Sequence, residues 1–178
     1  VGSYALKSNT TGYNVVAFGY EALEENTTGA NNTALGHMTL ALNTTGGNNT
    51  AVGKGALDVN TTGARNTAVG HESLDANTTG DNNTAVGEGA GGSITTGSTN
   101  TSVGQGAAAA ITTGSNNACL GHDAGRTSSP SGNITTASNI ICLGNNSITD
   151  LYCADTSISS SDARDKTDVE DFKYGLSW

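Results

Sequence analysis

The sequence predicts an all-β solenoid, a parallel roll built from 17-residue coils, on three observations. The Thr-Thr pair stands at 10, 27, 44, 61, 78, 95 and 112, each step 17 residues. The glycine closing the word "AVG" keeps the same step through 2, 19, 36, 53, 70, 87, 104 and 121. No helical apolar pattern accompanies this period, and a repeat near 20 residues without one marks coils that stack on each other.

Composition agrees with a thin, ordered structure. The chain has 178 residues with 25 Gly, one Pro, 4% aromatic, 13% charged and 34% hydrophobic residues, too few for one thick core. Disordered chains are rich in charge and proline, and this one is poor in both. The net charge is −9, from nine acids and four bases over 1–149 and seven acids and three bases over 150–178. No basic patch points to nucleic acid, and neither an 18-residue apolar run nor a signal-peptide pattern points to membrane insertion. The chain opens in mid-repeat and is read as a segment of a longer protein.

Each coil divides into a turn and strands. "Thr-Thr-Gly-x-Asn" is turn chemistry, because Gly accepts positive φ and Asn bonds its own backbone. "Asn-Thr-Ala-Val-Gly" is a short strand with alternating faces, Thr50 and Val52 on one and Ala51 on the other. Gly53 ends it, and "Gly-Ala-Leu" (55–57) is read as a second strand with Leu57 inward. A correlated exchange supports an interior shared by two columns. Leu6, Leu23, Leu40, Leu57 and Leu74 give way to Gly91, Ala108 and Gly125. Over the same boundary Asn9, Asn26, Asn43, Asn60 and Asn77 give way to Ile94, Ile111 and Ile134. The lost Leu is offset by an Ile three positions later, as conservation of core volume requires.

The row Ala17, Ala34, Ala51, Ala68, Ala85, Ser102, Cys119 and Cys142 is assigned to the outside, where small residues let another chain approach closely. Cys119 and Cys142 act there as small hydrophobes. His37, His71 and His122 share a column with Ser3, Tyr20, Lys54, Glu88, Gln105 and Asn145; such variety marks an exposed ridge rather than a metal site. No cofactor is expected. After Thr112 the step rises to 23, reaching Thr135, and the six extra residues lie within "RTSSPSGN" (126–133). Loops on rigid scaffolds often bind, so Arg126 and Tyr152 are the candidate receptor-binding residues.

Two parts of the chain resemble known families. Residues 1–149, through "NNTAVGxxAL", resemble the left-handed parallel β-roll of YadA-type trimeric adhesin heads and, more closely, repeat regions of bacteriophage tail fibres. This resemblance implies a homotrimer. The stretch "SSSDARDKTDVEDFKYGLSW" (159–178) looks like the start of the endosialidase-type intramolecular chaperone domain, through Ser161, Asp162, Arg164 and Lys166 and the later Gly175-Leu176. In that family the domain guides trimer assembly and then cuts itself off. The resemblance therefore implies Ser161 as nucleophile and Lys166 as base of a single-turnover self-cleavage; such pairs work when the lysine pKa is lowered.

The expected organisation is a roll over 1–149, a linker over 150–161, and the beginning of the chaperone domain over 162–178, helical at first after a Ser N-cap. The expected role is structural and adhesive, a distal tail-fibre shaft or tip in a phage virion. Its partners would be two further copies, other fibre or baseplate proteins, and a host glycan or protein receptor. No constellation for substrate turnover occurs in the repeats. The rival reading is the head of a trimeric bacterial surface adhesin. An ice-binding solenoid is disfavoured, because the adjacent Thr44 and Thr45 point opposite ways.

Overall fold

The computed structural model describes residues 1–127, 129 and 131–149. Within them runs one parallel sheet of eight three-residue strands. In chain order they are β1 (Val16–Phe18), β2 (Thr33–Leu35), β3 (Thr50–Val52), β4 (Thr67–Val69), β5 (Thr84–Val86), β6 (Thr101–Val103), β7 (Ala118–Leu120) and β8 (Ile141–Leu143). Each strand pairs with the next in parallel, so Ala34 faces Ala51, Ala51 faces Ala68 and Cys119 faces Cys142. The 17-residue period therefore places identical residues side by side. The 23-residue coil keeps the register, because its extra residues leave through the 126–133 loop.

The strand direction corrects the inside-outside assignment. Thr50 and Val52 do share one face, but that face is the outer one. Ala34, Ala51, Ala68, Ala85 and Cys119 are fully buried and Ser102 is 1% exposed. Outside stand Phe18, Leu35, Val69, Val86, Val103, Leu120 and Leu143, each between 37% and 56% exposed. The reason is the narrow cross-section. A Cβ placed on Gly91, in the Leu column, would lie 3.0 Å from Leu74 Cδ2 and 3.5 Å from Ser102 Oγ. One placed on Gly125 would lie 3.0 Å from Cys119 Sγ. The strand's middle residue thus meets the Leu column across the roll, and only a small side chain, Ala, Ser or Cys, fits there.

A second strand is also absent from the coil. Residues after Gly53 form turns, and Leu6, Leu23, Leu40, Leu57 and Leu74 sit at φ between 51° and 55°. Left-handed backbone costs a residue with a Cβ roughly 1–2 kcal/mol. Here it turns Leu57 into the core, where its burial contributes about 1.5–3 kcal/mol. Leu23, Leu40, Leu57 and Leu74 are fully buried. Ile94 and Ile111 are equally buried, and a Cβ on Gly91 would stand 3.1 Å from Ile94 Cδ1. The Ile therefore fills the space that the missing Leu leaves, as the exchange predicts.

Buried Asn ladders complete the interior. Asn43 Nδ2 donates to Asn26 Oδ1 at 2.8 Å and to the Gly46 carbonyl at 3.0 Å. Asn60 and Asn77 repeat the pattern. A second ladder runs through Asn49, Asn66, Asn83, Asn100 and Asn117, where each backbone N–H donates to the side-chain oxygen one coil earlier. Buried amides must find partners, and stacking identical coils supplies them. The exchange to Ile breaks the first ladder. Asn77 Oδ1 is left with no hydrogen-bond partner among the described residues, because Ile94 stands where the next donor would be.

Candidate functional site

The exposed face of the sheet is the feature that distinguishes this surface. Two columns run its length, one from Val16 through Thr33, Thr50, Thr67, Thr84, Thr101 and Ala118 to Ile141, the other from Phe18 to Leu143. Neither column holds a charged residue. At the spacing of about 4.8 Å between parallel strands, they form an apolar and hydroxyl-bearing stripe along the whole sheet. Polar columns rim it. One carries Asn14, Asn31, Asn48, Arg65, Asn82, Thr99, Asn116 and Asn139, all at positive φ. The other carries Tyr20, His37, Lys54, His71, Glu88, Gln105, His122 and Asn145. An apolar centre with a polar rim is the anatomy of a protein interface.

The sequence-predicted site residues fall elsewhere. Arg126 is exposed at the start of the inserted loop, and its Nη1 donates to Asp123 Oδ1 at 2.7 Å. The Arg126 carbonyl accepts from Ser129 N, and Ser129 is itself buried. Tyr152, Ser161 and Lys166 lie outside the described residues, as do the linker and the helical segment expected there. The histidine ridge is exposed, as its variety predicts. Tyr20 and His37 stack there at 5.2 Å between ring centroids, and His122 Nδ1 lies 2.9 Å from the Asn145 amide. No group of three His, Cys, Asp or Glu suited to a metal ion occurs among the described residues.

Two stacked carboxylates carry an electrostatic load. Burial, then the charge of Asp75 one coil on, pushes the Asp58 carboxyl above its ordinary value of 3.8; Glu21 adds to this and His37 opposes it. Burial and then Glu72 raise Asp75 in the same direction. The folded state thus holds protons that the unfolded chain has released, and stability falls as pH rises upward from 3.8. The Asp58→Asn chain is expected to melt higher than the parent at pH 7 and equally at pH 3. A gain of the same size at both pH values would contradict this assignment.

The cysteines are shielded. Cys119 is fully buried and Cys142 is 2% exposed. Burial, reinforced by Cys142, pushes the Cys119 thiol up to about 12. Since the thiolate is the reactive form, a disulfide thiol reagent at pH 8 is expected to leave both unmodified until denaturant is added. Rapid labelling of either in the folded chain would overturn their placement.

The outer stripe was missed in the sequence because hydrophobicity assigned Val52 and its column to the core. The available signal was size. The outer column varies from Phe18 to Val86, whereas the inner one never exceeds Cys. No protein-family model matches this chain, and neither a curated protein nor a solved structure shows significant similarity to it.

Proposed function

We propose that this chain is a structural and adhesive segment of a bacteriophage tail fibre, a left-handed roll that associates as a homotrimer through the Phe18–Leu143 column of its outer face. The exposed, uncharged apolar column from Phe18 to Leu143 carries the reading. Soluble monomers rarely leave so long an apolar strip uncovered. A second and third copy are the partners whose side chains recur at the same rise per coil, so every rung meets a rung. The fully buried hydrophobic side chains are mostly Ala, with one Leu or Ile per coil. Each coil alone therefore buries little against its ordering entropy, and association thickens the core.

Residues 159–178 supply the second half of the reading, through their resemblance to the start of an assembly chaperone with Ser161 as nucleophile and Lys166 as base of self-cleavage. That sequence favours a fibre over a bacterial adhesin head, which would share the roll alone. The assembled fibre sits in the virion, joins other fibre or baseplate proteins, and presents its surface to a host receptor.

Sedimentation equilibrium of the 178-residue chain tests the assembly. Three copies are expected, and Val69→Glu with Val86→Glu is expected to give single chains. A parent chain that stays monomeric at micromolar concentration would overturn the reading.

A further inference from the structure

We infer that a notch at the Asn-bearing rim of β6–β8 is a binding site for one neutral sugar unit of a glycan; this rests on the attachment role proposed above. The notch has a volume of about 330 Å³ and is walled by Thr99, Thr101, Asn116, Ala118, Asn139 and Ile141. None of the residues of the Phe18–Leu143 column, the face given above to the other copies, line it.

Three departures from the repeat create it. Thr99 stands where Asn stands at 14, 31, 48, 82, 116 and 139. Ala118 stands where Thr33, Thr50, Thr67, Thr84 and Thr101 precede it, and removes a branch from the floor. Ile141, 74% exposed, replaces the same Thr one coil later and raises one wall. Thr99 is moreover a β-branched residue at φ 59° in a column built for Asn. Such residues are outliers in left-handed backbone, and strain of this kind gathers at functional sites. Its hydroxyl turns to the Ser98 carbonyl at 2.6 Å instead of continuing an amide row.

The chemistry of the walls selects the ligand. Asn116 Nδ2 donates to Asn139 Oδ1 at 2.8 Å, which fixes both amides against the notch. That bond leaves the Asn116 oxygen as an acceptor and the Asn139 amide as a donor, a pairing that matches vicinal hydroxyls. Ala118 and Ile141 supply an apolar surface for a C–H face. No wall residue is charged, so neither a phosphate nor a sialic acid carboxylate is matched. The volume lies at the small end of ligand pockets, which suits one ring.

Saturation-transfer NMR on the full chain with glucose, galactose, mannose, N-acetylglucosamine, N-acetylgalactosamine and N-acetylneuraminic acid tests the site. At least one neutral sugar is expected to bind. The variants Ala118→Thr and Thr99→Asn restore what other coils carry, so each is expected to fold as the parent does and to weaken that binding at least tenfold. Sedimentation of the same samples separates the two claims, since trimer mass is expected to survive both substitutions. Binding of no neutral sugar, binding of the acidic sugar alone, or unchanged binding in Ala118→Thr would overturn the inference.

Discussion

The Gly53→Ala chain is expected to lose its solenoid around that coil, at a cost of about 4 kcal/mol or more, the range reached only by named structural failures. Gly53 has φ 132°, a conformation that side chains rarely adopt. A Cβ there would overlap the Gly70 carbonyl oxygen and stand 2.6 Å from its carbon. Both obstacles are backbone, held by the bonds of Gly53 N to Leu35 O and Gly70 N to Val52 O, each 2.8 Å. Relief would mean separating two coils and breaking the ladder. Gly89→Ala is the control. It has φ 60° but nothing within 4 Å of its would-be Cβ, and its column carries Glu21, Met38, Glu72 and Asp123 in the same conformation. Its cost is expected to be about 1 kcal/mol. Urea denaturation followed by circular dichroism measures both, and equal costs would show that coil contact is not what demands Gly53.

Leu74→Gly and Asn77→Ile are each expected to destabilise strongly alone and to cancel when combined. Leu74→Gly empties a fully buried site, a loss of about 3–4 kcal/mol before partial relief of left-handed strain. Asn77→Ile removes the bonds to Asn60 Oδ1 and the Gly80 carbonyl and overfills the core beside Leu74, costing about 2–3 kcal/mol. Together they extend the Gly91–Ile94 arrangement by one coil. The orphan acceptor then moves from Asn77 to Asn60, and the number of unpaired amides does not change. The double variant is expected within about 1 kcal/mol of the parent, giving a coupling far above the few tenths seen between independent sites. Simple additivity in urea titrations would break the claim that the two columns share one interior.

How much of this was legible in the sequence depended on which physical quantity the letters encode. The period set the register, since stacking Thr50 on Thr67 requires only that 17 residues close one coil. The Leu-to-Ile exchange encoded volume, and volume is conserved in a packed core. Alternation along "TAV" encoded two faces but not which one is inner. The roll is too thin for its larger residues to point inward, so hydrophobicity gave the wrong answer for Val52 and Ala51. The second strand was misread because Leu57 at φ 53° contradicts intrinsic preference, a conflict that tertiary packing wins. The binding residues were the least legible. Arg126 is a loop residue tied to Asp123, whereas the notch arises from Ala118, a residue too plain to attract notice until its neighbours in the ladder are known.

Urea unfolding of the 178-residue chain at two protein concentrations tenfold apart, followed together by circular dichroism and light scattering, tests the central claim most directly. If association completes the core of a thin roll, loss of β-signal and loss of the threefold mass coincide. The midpoint then rises with concentration, as mass action requires when folding and assembly are linked. A single chain that keeps its full β-signal after dilution, with a midpoint independent of concentration, would contradict the account.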